Sequence, residues 1–396
     1  MQRLHPALQH YAWGSPTAIP QILCAAPDGR PVAEAWFGAH PSAPSGLGDD
    51  GTPLDVALAA DPDGALGPDV VSRFGAQLPF LLKLIAAAQP LSLQVHPSVD
   101  LAHEGYAAED ARGVALDDPA RSYRDRNHKP ELVYALTRFE ALVGFRAPRR
   151  AAEILAGLDH PVARRLHKTI LEDPTSEGMR AAFTELVSRE TRPTPEEVAD
   201  LAALFRRRRF EGSPSPRTDH AVELLAAAHP GDPGAITAVL LNPVTLQPGE
   251  AFFVPAGAVH AYLSGLAVEL MANSDNVLRA GLTVKHVDVP ELLRAVDCVA
   301  APPIRIAPEH AFDATDVFYA PVDDFELSVT RAEDARPARV PGGGPRVVLC
   351  LDGDVRLQTA TGDEIALLGG QAAFVTADDG ALHVQGSGRV VQAAVP

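Results

Sequence analysis

The stretch Leu91-Ser92-Leu93-Gln94-Val95-His96-Pro97-Ser98 alternates apolar with polar residues. A strand sends successive side chains to opposite faces, so Ser92, Gln94 and His96 should share one face and Leu91, Leu93 and Val95 the other. A hydroxyl, a carboxamide and an imidazole on one wall make a candidate site. Alternation by itself also describes any half-exposed strand, where such groups are merely solvated. Partners elsewhere in the chain must decide between the two.

One partner is His260. The segment Gly249 to His260 has the spacing G-x5-P-x-G-x2-H. It resembles the second motif of the cupin superfamily, a strand, turn and strand whose histidine points into a small β-barrel and binds a metal. That resemblance implies further ligands from an earlier H-x-H strand and a following carboxylate. Gln94-Val95-His96 stands in the first place, with glutamine for the first histidine, and Glu131 of His128-Lys129-Pro130-Glu131-Leu132-Val133-Tyr134 in the second. Along that strand Lys129 and Glu131 alternate onto one face, and Leu132 and Tyr134 onto the other. Gln94, His96, Glu131 and His260 would offer two nitrogen and two oxygen donors. Such a set without thiolate suits Zn(II), while ligand type alone leaves Mn(II) and Fe(II) open.

The elements that must position these groups read as strands and loops, rich in Gly and Pro, up to about residue 146. Pro79-Phe80-Leu81-Leu82-Lys83-Leu84-Ile85 is a nearly continuous apolar run, the pattern of a strand buried on both faces. Lys83 interrupts it. A buried ammonium is costly unless paired, so Lys83 must sit at the strand's open end or meet an anion. From Pro148 to about His229 helical spacing takes over, and Thr194-Pro195-Glu196-Glu197 combines a capping residue, an N-terminal proline and a Glu three residues on. The basic run Arg206 to Arg209 reads as the solvated side of that helix. Strand texture returns from Ile236 to about residue 330, and residues 338 to 396 hold short apolar strands between glycine turns. There Gly370-Gln371-Ala372-Ala373-Phe374-Val375 begins like the second cupin motif, but Thr376 replaces the proline and His383 is displaced, so this module should lack a metal.

The chain of 396 residues is long enough for two or three domains. Its formal net charge of -17 disfavours nucleic acid and anionic membranes as partners, which call for a positive surface. No stretch approaches a membrane span, and the N-terminus lacks the apolar core of a signal peptide. Three scattered cysteines, Cys24, Cys298 and Cys350, fit a reducing cytoplasm better than a disulfide framework.

Longer matches narrow the reading. Tyr11-Ala12-Trp13-Gly14, Ala33-Glu34-Ala35-Trp36-Phe37-Gly38-Ala39-His40-Pro41, the strand bearing Lys83, Gln94-Val95-His96-Pro97, His128-Lys129-Pro130-Glu131 and Ser274 to Thr283 together resemble the type I mannose-6-phosphate isomerases, over nearly the whole chain. The resemblance implies a mainly β protein. A cupin core (a jelly-roll-like β-barrel) would span 1–146 and 231–330, a helical insertion 147–230, and a degenerate cupin-like β domain 331–396. It also implies one Zn(II) per chain on Gln94, His96, Glu131 and His260, with Arg279 as the catalytic arginine. Where that family usually reads Thr-Pro-Lys, this chain has Thr283-Val284-Lys285, which frees one backbone angle and leaves the lysine in place.

The implied reaction interconverts mannose 6-phosphate and fructose 6-phosphate through an enediol, with negative charge building on the sugar oxygens. A metal and a guanidinium both stabilise such charge without changing protonation state. We expect the phosphate near Ser92 and Lys83, with Lys129 and Lys285 as further cations. Tyr262, two residues after His260, should reach substrate hydroxyls, and Glu269 should bind sugar or act as the base. His128, Lys129 and a metal-bound water are equal claimants to that role. A cytoplasmic monomer, feeding GDP-mannose biosynthesis, is the expectation. The competing readings are a non-catalytic sugar-phosphate sensor and another metal-dependent cupin enzyme such as a dioxygenase.

Overall fold

The computed structural model describes residues 1–312, 314–333 and 336–396. Its strands form two antiparallel sheets of eleven strands each, with five helices from Pro148–Leu155 to Pro216–Ala228 packed on one side of the first. The strand His260–Ala272 runs through both walls of the first barrel. Its early half pairs with Phe139–Phe145, and His260 lies directly opposite Gln94. Its later half pairs with Phe80–Ala87 on one side and Glu131–Ala135 on the other. The change of partners falls at Gly265, where φ is +120° and a Cβ would stand 2.6 Å from the Arg138 carbonyl oxygen. Only glycine fits there.

Three cores explain the sequence texture. Ile85, Val133, Phe139, Val143 and Val254 fill the barrel interior. Leu82, Leu84, Leu132 and Leu270 face outward and pack against Leu327, Val347 and Phe374 of the second sheet. A strand wedged between these two cores has no polar face to show, hence the unbroken apolar run. On the other wall Leu93, Leu142 and Leu263 meet Ile154, Phe183 and Phe205 of the helices.

The Pro195–Glu211 helix starts with the capping box, Thr194 and Glu197 exchanging bonds with each other's backbone. Its basic run is less solvated than its pattern implies: Arg208 pairs with the fully buried Asp219 and Arg209 with Glu223, 2.8 Å away, which bolts this helix to the next. Strand pairing also redraws the C-terminal layer. Glu309–Ala311, Thr315–Phe318 and Glu326–Ala332 belong to the second sheet, as does Gln2–His5 from the opposite end of the chain. In the C-terminal part of the chain the first strand of that sheet is Glu309–Ala311. The pairing of Gln2–His5 with Ala372–Val375 spans hundreds of residues and leaves no local pattern.

Candidate metal centre

Glu131 enters the barrel at the start of its strand, paired with Val254 on one side and Met271 on the other. Val254 leads into the turn Pro255 to Val259, where Gly257 adopts φ +81° and donates its N–H to the His96 carbonyl oxygen at 2.8 Å. The turn thus locks the two histidine-bearing segments together. His96 Nε2 lies 3.0 Å from Glu131 Oε1, and His260 Nε2 lies 3.4 Å from Glu131 Oε2. All three side chains are at most 3 % exposed.

The remaining ring nitrogens are committed. His96 Nδ1 pairs with the Asn276 carbonyl oxygen at 2.8 Å, and His260 Nδ1 with that of Ala258 at 3.1 Å. A carbonyl only accepts, so both Nδ1 atoms carry the proton and both Nε2 atoms present lone pairs. Two bare imidazole nitrogens then face a carboxylate, and His96 Nε2 has no hydrogen-bond partner at all. Three converging acceptors in a dry site repel unless a cation lies between them, and the backbone-fixed tautomers are those of metal-bound histidines. The donor set fits a divalent metal ion.

Burial pushes His96 down to about 4, so the ring stays neutral at physiological pH. Burial would raise Glu131, yet its charged and hydrogen-bonding neighbours hold it well below the usual carboxylate range. With His96 neutral, the cation responsible at pH 7 is Lys129, whose Nζ is 3.3 Å from Oε1. The Tyr262 hydroxyl donates to Oε2 at 2.6 Å, and burial and the Glu131 charge hold that phenol protonated. Gln94 donates its amide to Ser92 Oγ at 3.3 Å, which leaves the carbonyl oxygen as its donor atom.

Register places the other candidates. Arg279 lies opposite Gln94 on the strand Leu278–Gly281, and directly opposed residues share a face, so Arg279, Gln94 and His260 line one wall. Among the described residues no carboxylate pairs with the guanidinium, and burial and neighbouring Arg124 both depress its pKa. On the facing wall Lys83 sits in mid-strand, not at an open end. Its Nζ lies 3.3 Å from Glu269, 3.9 Å from Glu34 and 4.8 Å from the Trp36 ring centroid. These carboxylates outweigh the burial that would discharge it, so the strand's lysine is explained without a phosphate. Burial and the Glu131 charge raise the Glu269 carboxyl.

Ser92, Gln94, Lys83, Lys129, Tyr262 and Glu269 line one cavity of about 40 Å³ together with Glu131 and His260. That is room for an ion and little more. Its three carboxylates, Glu34, Glu131 and Glu269, exceed its two ammonium groups by one charge. Lys285 lies elsewhere, on the loop after Gly281, lining a separate cavity of about 530 Å³ with Arg189 and Arg192. Its charged neighbours are Arg279 and Arg124, which together with burial lower its pKa. Val284, the residue in place of the proline, is fully exposed beside it. His128 turns away to Asp324, 3.0 Å distant, in the loop between Thr315–Phe318 and Glu326–Ala332 of the second sheet.

Sequence reasoning passed over His40, whose Nε2 stands 3.4 Å from Asp275, and the carboxylate Glu34. The spacing that puts Glu34 on the strand face of Trp36 was the available signal for the latter. It also passed over Asn276, buried completely.

Residues 1–148 match the family model for the phosphomannose isomerase type I catalytic domain. The chain is 38% identical to the mannose-6-phosphate isomerase of Escherichia coli, over 99% of both chains. It is 31% identical to mannose-6-phosphate isomerase 1 of Arabidopsis thaliana, over 98% of this chain and 91% of that one. Among solved structures, a mannose 6-phosphate isomerase bound with zinc and yttrium superimposes with a TM-score of 0.89 at 35% identity, covering 100% of this chain and 99% of the other. The apo form of the Salmonella typhimurium enzyme does so with the same score and identity. The chain belongs to the type I phosphomannose isomerase family.

Proposed function

We propose that Gln94, His96, Glu131 and His260 hold a single Zn(II) and that the chain uses it to interconvert D-mannose 6-phosphate and D-fructose 6-phosphate. The observation that carries this reading is the convergence of two backbone-fixed histidines on Glu131 in a buried cluster. The zinc-bound relative favours Zn(II) among the metals the donors accept. When bound, the ion supplies a Lewis acid for the oxygens on which enediol charge develops.

The chain's own residues supply the rest. Arg279, without a carboxylate partner among the described residues and on the wall of Gln94 and His260, offers a fixed positive charge to the same oxygens. Tyr262 and Lys129 keep Glu131 ionised and oriented. Proton transfer between C1 and C2 needs a group that can be both charged and neutral near pH 7. Glu269, whose carboxyl is raised by burial and the Glu131 charge, lines the cavity, as does Lys129, whereas His128 does not. Ser92 stands beside Gln94 for the phosphate end, and Lys285, beside Arg279, is a further cation outside that cavity.

We further propose a cytoplasmic monomer supplying GDP-mannose biosynthesis, and its free cysteines support a reducing compartment. The test is a coupled isomerisation assay on chelator-treated protein. Activity should vanish on chelation and return with Zn(II), whereas a metal-free protein that turns over mannose 6-phosphate contradicts the reading.

A further inference from the structure

Asn276 is 0 % exposed and sits in the turn between the strands His260–Ala272 and Leu278–Gly281. Its amide nitrogen donates to the Asp125 carbonyl oxygen at 2.9 Å, to Asp125 Oδ1 at 3.1 Å and to the Asn127 carbonyl oxygen at 2.8 Å. Its amide oxygen accepts the backbone N–H groups of Arg124 at 2.7 Å and Asp125 at 3.2 Å. Its own carbonyl oxygen is the acceptor that fixes His96 Nδ1 at 2.8 Å. Ser274 braces the arrangement, donating to Asp125 Oδ1 at 2.8 Å and accepting from the Asn276 N–H at 3.2 Å.

We infer that Asn276 is a positioning residue for the metal centre, setting two ligands on separate segments at once. Through its main chain it orients the His96 ring, and through its side chain it clamps residues 124–127, the segment that delivers Glu131 four residues later. Both contacts come from one rigid turn, so the His96 to Glu131 separation is fixed by a part that touches no metal. Partners of this kind typically change metal affinity 10–100-fold when removed. The inference rests on the metal-centre reading above.

The experiment titrates Zn(II) alone against a competing chromophoric chelator in wild type, His96→Ala, Asn276→Asp, Asn276→Ala and Ser274→Ala, with the unfolding midpoint of each metal-free protein. Asn276→Asp keeps the size but turns an oxygen toward three acceptors, so it should expel the 124–127 segment. Zn(II) affinity should fall roughly 10–100-fold in both Asn276 variants. In Ser274→Ala, which keeps every Asn276 side-chain bond, it should fall severalfold. At saturating Zn(II), kcat should recover to within severalfold of wild type, and the visible spectrum of the Co(II)-loaded Asn276 proteins should shift. A residue that merely holds the fold would lower the unfolding midpoint and leave affinity and spectrum unchanged, and that result overturns the inference. If an Asn276 variant does not fold, Ser274→Ala decides, and affinity within twofold of wild type counts against it. Should His96→Ala also bind Zn(II) as wild type does, the metal-centre reading itself fails. Loss in His96→Ala with none in the others overturns only the role of Asn276.

Discussion

The Tyr262 hydroxyl donates a 2.6 Å hydrogen bond to Glu131 Oε2, the same oxygen that lies 3.4 Å from His260 Nε2. Tyr262 therefore serves a candidate ligand rather than an open substrate position. Tyr262→Phe leaves that buried carboxylate short of a donor, at a cost of about 1.5 to 3 kcal/mol in unfolding free energy. Zn(II) affinity should fall about tenfold, with KM for mannose 6-phosphate little changed. Chelator competition alongside steady-state kinetics checks it, and a raised KM with unaltered affinity would return Tyr262 to the substrate.

Arg279 has no carboxylate partner among the described residues, so its removal leaves no buried charge stranded. Arg279→Ala should lower kcat by roughly 10²–10³ while Zn(II) content and the unfolding midpoint stay near wild type. A variant that loses metal or stability in proportion to activity would assign the arginine a structural task instead.

Lys83 answers Glu269 and Glu34 in a dry interior. Lys83→Met leaves those carboxylates unmatched, a change worth about 3 to 5 kcal/mol. The loss should depend on pH in a definite direction. Without the ammonium the Glu269 carboxyl, already raised by burial, rises further. The folded form then binds more protons than the unfolded one above the ordinary Glu pKa, so stability is regained as pH falls. Urea unfolding at pH 8 and pH 6 should show a smaller deficit at pH 6. A deficit independent of pH would contradict the pairing.

His96 is held down to about 4 from an ordinary 6.5. Between those values the unfolded chain binds the proton and the folded one does not, so metal-free protein should lose stability as pH falls from 6.5 toward 4. For this fully buried ring the loss is on the order of 3 kcal/mol. Unfolding of the metal-free protein across that range, compared with His96→Gln, isolates it. Equal slopes in the two proteins would assign the acid sensitivity to other groups.

Local pattern carried much of this fold and site. Period-two alternation put Ser92, Gln94 and His96 on one wall, and the Pro255-Ala256-Gly257 turn marked the strand entry of His260. Capping chemistry located the helix from Pro195, and the two-sided apolar run announced the strand of Lys83. Residues whose meaning lies in distant pairing were illegible. Nothing near Lys83 in sequence says that Glu34 and Glu269 flank it, since both contacts depend on strand register. The pairing of Gln2–His5 with Ala372–Val375 has the same origin. Asn276 escaped because five of its seven bonds run to residues about 150 positions away and another to His96, 180 away, while only the bond to Ser274 is local.

The most direct test of the central claim is metal content and mannose 6-phosphate isomerisation measured on one purified sample, in wild type and in Glu131→Ala. One Zn(II) per chain should accompany activity in the wild type, and both should be lost together in the variant and on chelation. Turnover by metal-free protein, or full Zn(II) occupancy in Glu131→Ala, would contradict it.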